Sequence, residues 1–203
     1  MQLNLKLGLN RITNKVILTS KLNPIILFIG GYSRSGKTFF SNQINKSLKQ
    51  KGFKTLRVSM DLWIVPLSKR EKNTTVLERY RFKEFKNSLN SLIKGRSIKV
   101  LAYDSKSREQ EKFPTKIISP KHPFILIIDG VLALKKFFLQ NKKTFKIFIE
   151  TNDYKRCKRL IKMYRDDKNI PKDIYKKIIQ ERELEEIKSI RKTKKNADMI
   201  IKN

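Results

Sequence analysis

A glycine-rich turn that ends in Lys-Thr has the residue types most suited to chemistry in this sequence. It occupies residues 31–38 as GYSRSGKT, after an apolar run over residues 25–29 and before a helical pattern that begins at Thr38. Glycines allow a tight turn that points successive backbone N–H groups inward, and the following helix adds the positive end of its dipole. We therefore predict a strand, a loop that binds a polyphosphate, and a helix.

The side chains of this phosphate-binding loop (residues 31–38) have separate predicted tasks. Lys37 would neutralise charge between the β- and γ-phosphates, and the Thr38 hydroxyl would coordinate Mg²⁺. The full set of predicted nucleotide-binding residues is Gly31, Ser33, Arg34, Ser35, Gly36, Lys37, Thr38 and Phe39.

Two acidic residues lie at the carboxyl ends of predicted strands. Asp61 follows the predicted strand at residues 53–60, and Asp129 ends the apolar run that begins at residue 124. Ligands bind at the carboxyl edge of open α/β sheets, so both carboxylates are expected near the loop. Asp61 could accept a proton from an attacking hydroxyl, hold Mg²⁺ through water or cap a helix. Asp129 could cap a neighbouring helix, but beside the loop we favour a role in holding the water shell of Mg²⁺.

The remaining patterns supply the elements that must position these residues. We predict a helix at residues 82–93, a hairpin within residues 97–118, strands at 124–129, 144–150 and 197–201, and helices at 38–51, 153–166 and 174–190. Apolar strands that alternate with helices favour an α/β fold whose central sheet is mainly parallel and flanked by helices. We assign residues 24–203 to one such domain and residues 1–23 to an N-terminal extension.

Two further side chains and one helix have two possible interpretations each. Trp63 could wall a substrate pocket or pack in the core, and Arg79 could reach a substrate or remain solvated. The basic helix at residues 153–166 could be a solvated surface or could bring positive charge to a phosphoryl group. A single histidine, His122, is too few for a histidine-based triad or a histidine metal cluster.

Composition limits the classes of protein that fit. The chain has 203 residues and a formal net charge of +30, with lysines in nearly every segment. We favour a solvated basic surface that attracts anionic substrates. A dedicated nucleic-acid-binding face is the alternative that the composition leaves open. One cysteine excludes an internal disulfide, and no apolar run approaches the length of a membrane span, so we expect a cytoplasmic protein without a membrane partner.

Taken together, six segments in order resemble the uridine kinase and phosphoribulokinase family of P-loop kinases. They are GGYSRSGKT, VSMDLW, AYDSKSR, FILIIDGVLAL, KIFIETND followed by RLIKMYRD, and ADMII, and they span residues 24–201. The resemblance implies a P-loop NTPase fold with a small β-hairpin lobe at the acceptor site.

The resemblance also implies ATP-dependent, Mg²⁺-assisted phosphorylation of a primary hydroxyl, as in uridine kinases that convert uridine or cytidine to the 5′-monophosphate. By it, Asp61 is the base, Lys37 and Arg165 steady the transferred phosphoryl group, and Thr38 and Asp129 serve Mg²⁺. Near the acceptor it places Tyr103 and Arg108.

The sequence departs from uridine kinases where those enzymes read the nucleoside. The segment at residues 73–80, NTTVLERY, lacks the expected Pro and carries a Glu-Arg pair, and the histidine expected soon after Asp104 is missing. A sugar or another small alcohol, as in phosphoribulokinase- or pantothenate kinase-like enzymes, therefore stays open as the acceptor. A nucleic-acid-associated NTPase is the alternative in another class, and homo-oligomer formation is undecided.

Overall fold

A computed structural model describes residues 2–19, 25–72, 74–136, 144–167 and 170–203. Its strands are β1 (Gln2–Asn4), β2 (Ile25–Gly31), β3 (Thr55–Ser59), β4 (Ile98–Val100), β5 (Thr115–Ile117), β6 (Ile125–Asp129), β7 (Thr144–Glu150) and β8 (Met199–Lys202). Its α-helices are α1 (Leu5–Thr19), α2 (Lys37–Gln50), α3 (Phe82–Ile93), α4 (Asp153–Lys162) and α5 (Lys172–Lys194).

Six strands form one parallel sheet in the order β1-β8-β7-β2-β6-β3. Strand β2 lies between β6 and β7, and its apolar residues are buried throughout, which is typical of a central parallel strand. In the register, Asp129 at the end of β6 lies opposite Ile29 of β2 and Ser59 of β3. The predicted parallel α/β fold is confirmed, and the carboxyl ends of three strands meet at one edge.

Alternate residues of β2 contribute to two cores, one on each face of the sheet. Ile25, Leu27 and Ile29 pack with residues of α1 and α2. Ile26 and Phe28 pack on the other face, with residues of α3 and α5. Because both faces are covered, the sheet is rigid and fixes the position of the loops at its edge.

The described part of the N-terminal segment adds to this domain. β1 pairs in parallel with β8, and Ile12 and Val16 of α1 are buried against the sheet. Apart from the six-stranded sheet, β4 and β5 pair with each other as the predicted antiparallel hairpin. Among the described residues, no helix is both long and apolar enough to span a bilayer.

The basic helix is shorter than predicted. α4 ends at Lys162, and the chain continues through a π-helical turn, Met163–Asp167. Each residue of a π-helix rotates less about the axis than in an α-helix, so the side chains after Lys162 point in other directions than they would in a continued α-helix.

Candidate active site

The phosphate-binding loop is held in a conformation that requires its two glycines. Gly31 has φ 143°, and a Cβ there would lie 2.3 Å from the carbonyl oxygen of Ile149 in β7. Gly36 has φ 100° and is the N-cap of α2. Left-handed φ values are costly for residues with a side chain, so both positions favour glycine.

The first turn of α2 leaves backbone donors for an anion. The N–H of Phe40 bonds the carbonyl of Gly36 at 3.0 Å, so the N–H groups before it have no partner inside the helix. Asn203, which follows β8, donates through Nδ2 to the carbonyl of Ser35 at 2.8 Å. The Asn203 contact therefore fixes the loop, and the first N–H groups of α2 are left as donors that suit an anion.

Lys37 lies over this loop. Its Nζ donates to the carbonyl oxygen of Tyr32 at 2.7 Å, and its side chain is buried. Burial lowers the pKa of Lys37 to about 8, against the opposing attraction of the acidic groups nearby, Asp61 first and then Asp129 and Glu186. A phosphate that replaced the Tyr32 carbonyl would stabilise the charged amine.

Asp129 and Thr38 form an oxygen-donor pair below the loop. The Thr38 hydroxyl lies 3.4 Å from Oδ2 of Asp129, whose side chain is 2% exposed. Arg57 of β3 binds the same carboxylate, with Nη2 at 2.8 Å from Oδ1 and 3.0 Å from Oδ2, and donates through Nε to Ser41.

This pair fits Mg²⁺. Although Arg57 Nη2 is near, Oδ1 of Asp129 accepts no well-aligned hydrogen bond from the described residues. Mg²⁺ binds oxygen ligands, typically one or two from the protein, with phosphates and water completing its shell. A buried carboxylate oxygen that accepts no well-aligned hydrogen bond, together with a nearby hydroxyl, supplies such protein ligands. Thr38 and Asp129 would hold the ion.

Asp61 lies in a 3₁₀ turn, Met60–Trp63, at the end of β3, and its carboxylate faces the cavity above the loop. Tyr80 donates to Oδ1 of Asp61 at 3.0 Å. The carboxylate is exposed to the cavity, yet the surrounding protein displaces bulk water, and this desolvation raises the pKa of Asp61. Attraction to Lys37 and the Tyr80 hydrogen bond oppose the increase. A carboxylate of increased basicity is suited to accept a proton.

A cavity of about 920 Å³ joins the loop to Asp61, a volume within the range of ligand pockets. The predicted site residues that line it are Ser33, Arg34, Gly36, Lys37, Thr38, Phe39, Asp61, Arg79, Tyr103, Arg108 and Asp129. Gly31 and Ser35 are buried behind the surface of the loop.

Two predicted residues lie away from this cavity. Trp63 is 1% exposed and packs edge-on against Phe85 in the core, which is the second of its two readings. Arg165 is largely exposed, in the π-helical turn, and its guanidinium pairs with Asp166 at 2.6 Å. The cations of this region that line the cavity are instead Arg159, which donates to the carbonyl of Arg34 at 3.1 Å, and Lys162.

Several site residues were missed at the sequence level. They are Arg57, Arg70, Tyr80, Glu186 and Asn203. Arg57 is the one charged residue of β3, whose sequence is TLRVS, and this position could have been noticed from the sequence. The sequence around Tyr80 is typical of an aromatic residue in the core, and that around Glu186 of a solvated residue in a charged helix. Neither residue could therefore be assigned to the site from its local sequence.

Comparison with known proteins agrees with this geometry. A model of the "Phosphoribulokinase / Uridine kinase family" matches residues 26–203. The uridine kinase of Leuconostoc citreum (strain KM20) is 27% identical over 139 residues, which is 65% of this chain. The matched region spans 64% of that relative's length.

Two solved structures share the fold. A "possible uridine kinase" from Bacillus stearothermophilus has a TM-score of 0.63 at 18% identity, covering 95% of this chain and 96% of that one. The "putative fructose transport system kinase" from Silicibacter sp. TM1040 has a TM-score of 0.76 at 16% identity, covering 95% and 98%. With the family model matched from β2 to the last residue, the chain belongs to the phosphoribulokinase and uridine kinase family.

Proposed function

We propose that this protein transfers the γ-phosphoryl group of ATP to the primary hydroxyl of a small molecule. The observation that carries the proposal is the placement of Asp61, whose carboxylate shares one cavity with Lys37 and the phosphate-binding loop. Phosphoryl transfer to an alcohol needs this combination of an anion-binding loop, a cation and a base.

The reaction assigns one task to each group. The acceptor's hydroxyl proton passes to a carboxylate oxygen of Asp61, and the hydroxyl oxygen bonds to the γ-phosphorus. The bond from that phosphorus to the β–γ bridging oxygen breaks, which releases ADP. Lys37 and the N–H groups at the start of α2 stabilise the charge on the phosphates.

Thr38 and Asp129 would hold Mg²⁺, whose chemistry here would be to neutralise charge on the phosphates. Arg57 holds the Asp129 carboxylate in place through contacts at 2.8 and 3.0 Å. Arg159 and Lys162 line the cavity and would add positive charge near the transferred group; the role predicted for Arg165 stays a prediction.

Uridine and cytidine are the first acceptors to assay, because the sequence relatives are uridine kinases. The segment around Tyr80 does not resemble the nucleoside-reading segment of those enzymes, so sugars and other small alcohols belong in the same panel. The fold neighbour from Silicibacter, whose name refers to fructose transport, supports the wider panel.

The test is a coupled ADP-release assay with uridine, cytidine, sugars, sugar phosphates, glycerate and pantothenate. We expect acceptor-dependent turnover, and a loss of about 10²- to 10⁴-fold in kcat for Asp61→Asn with ATP affinity little changed. Asp173→Asn, an exposed change at the start of α5, is the matched control. Turnover with no acceptor dependence, hydrolysis stimulated by polynucleotides instead, or full activity of Asp61→Asn would refute the proposal.

A further inference from the structure

Two arginines, Arg70 and Arg108, line the part of the cavity beside the base. The guanidinium of Arg70 lies 5.5 Å from the ring centroid of Tyr103, and the N–H of Tyr103 bonds the carbonyl of Leu62, next to Asp61, at 3.1 Å. The segments of the two arginines are joined, because the N–H of Leu67 bonds the carbonyl of Arg108 at 2.8 Å. Both cations therefore lie on the acceptor side of the cavity.

The backbone at Arg108 is strained and held in place. Its φ of 64° is in the left-handed region, which is costly for a residue with a side chain. Its N–H bonds the carbonyl of Asp104 at 2.9 Å, and the Asp104 carboxylate accepts bonds from Lys106 and Ser107 at 2.7–3.0 Å. Strain that the surrounding contacts enforce is typical of functional positions.

The charge of Arg108 is not paired by the part of the chain that the structure describes, where its guanidinium has no hydrogen-bond or ion-pair partner. Glu109 interacts with it through space, but that carboxylate is bound by the N–H and hydroxyl of Ser68 at 2.9 and 2.6 Å. Arg79, a third arginine of the cavity, differs because Glu186 binds it at 2.6 Å. Arg108 is therefore presented to the cavity with unused donors.

We propose that Arg108, with Arg70 beside it, forms an anion-binding subsite, and that the acceptor alcohol carries a carboxylate or a phosphate. The guanidinium fork matches either group with two parallel hydrogen bonds, whereas a neutral nucleoside would bring no counter-charge. This inference rests on the proposed kinase function, since it concerns the acceptor of the same reaction.

Anion binding can be measured without turnover. With the phosphate-binding loop filled by Mg²⁺ and a non-hydrolysable ATP analogue, inorganic phosphate is titrated by calorimetry at about 150 mM salt, where non-specific attraction to the basic surface is screened. We expect saturable binding that weakens about tenfold in Arg108→Gln, which keeps a side chain at the same strained φ. Arg96→Gln, the same charge change on an exposed residue outside the cavity, should bind as the wild type does. Absence of saturable binding, or equal weakening in both variants, would overturn the subsite.

Matched acceptors then identify the anionic group. Glycerate with glycerol and pantothenate with pantothenol test a carboxylate, ribulose 5-phosphate with ribulose tests a phosphate, and orotidine with uridine tests a nucleoside. We expect kcat/KM to favour the anionic member of at least one pair by tenfold or more, and Arg108→Gln to remove that preference. Preference for the neutral members would overturn the inference. Phosphate binding without any ADP release would support the subsite and refute the kinase function, so the two failures are distinguishable.

Discussion

Replacing Tyr80 by Phe tests whether Asp61 is the base. The change removes one hydroxyl, which donates to Oδ1 of Asp61 at 3.0 Å, and keeps the ring that stacks on Phe82 at 5.8 Å between centroids. The lost hydrogen bond stabilised the charged carboxylate and so lowered the pKa of Asp61. Its removal must therefore increase the proton affinity of the base.

The size of the effect follows from the hydrogen bond and its surroundings. Hydrogen bonds to charged groups contribute about 1.5–3 kcal/mol, but cavity water can replace part of this one because Asp61 is exposed to the cavity. We take about 1 kcal/mol, which is roughly a fivefold increase in proton affinity. Since only the deprotonated carboxylate accepts the acceptor's proton, activity falls as pH falls, and the variant loses it at higher pH than the wild type.

The assay is the pH profile of kcat/KM for the acceptor at saturating MgATP. On the acid limb Tyr80→Phe should be about fivefold slower than the wild type, and on the plateau the two should nearly coincide. Tyr154→Phe, which removes a hydroxyl from a 75% exposed residue of α4, is the control and should follow the wild type throughout. A loss of equal size at every pH, or an acid limb displaced to lower pH, would refute the assignment of Asp61.

Three further predictions concern the frame of the site. Gly31→Ala should reduce the free energy of unfolding in urea by about 2–4 kcal/mol, since its Cβ would lie 2.3 Å from a carbonyl oxygen of β7. Gly52→Ala is the control, because Gly52 also has a positive φ, 81°, but a Cβ there meets open space; it should reduce the free energy of unfolding by only about 1–2 kcal/mol. Arg57→Met should reduce the free energy of unfolding by about 3 kcal/mol, because it leaves the buried Asp129 carboxylate unpaired. The double variant Arg57→Met with Asp129→Asn should recover most of that loss. If the losses of the two single variants simply add in the double variant, the pairing is contradicted. For nucleotide-free protein, ATP affinity measured by calorimetry should decrease as pH rises through about 8, where Lys37 loses its charge, and Lys37→Arg should remove this pH dependence.

The elements of the fold were largely predictable because their patterns are local. The strand predicted at residues 144–150 and the helix predicted at 82–93 are β7 and α3 with the same bounds. The phosphate-binding loop was predictable for the same reason, because backbone geometry over residues 31–38 determines which residue types fit. The residue pattern of a buried parallel strand or of a glycine turn extends over only a few consecutive residues, so it can be recognised in the sequence alone.

The partners of the reactive groups were not predictable, because they come from distant parts of the chain. Tyr80 reaches Asp61 across 19 residues, and Arg57 reaches Asp129 across 72. The sequence shows that a tyrosine or an arginine is present, but only the packing of β3 beside β6 brings that arginine to the carboxylate of Asp129. A raised or lowered pKa is equally a property of the assembled cavity, since burial supplies its largest cause.

The rotation of helix α4 determines which of its cations line the cavity. Leu160 and Tyr164 pack on Tyr175 of α5, and this apolar contact fixes which face of α4 is turned inward. Lys162 lies on the cavity side of that face, whereas the π-helical turn carries Arg165 out to Asp166. Arg159, one turn before Lys162 in α4, lines the same cavity, so in the proposed reaction these two cations, and not Arg165, would add their charge to that of the loop N–H groups and Lys37.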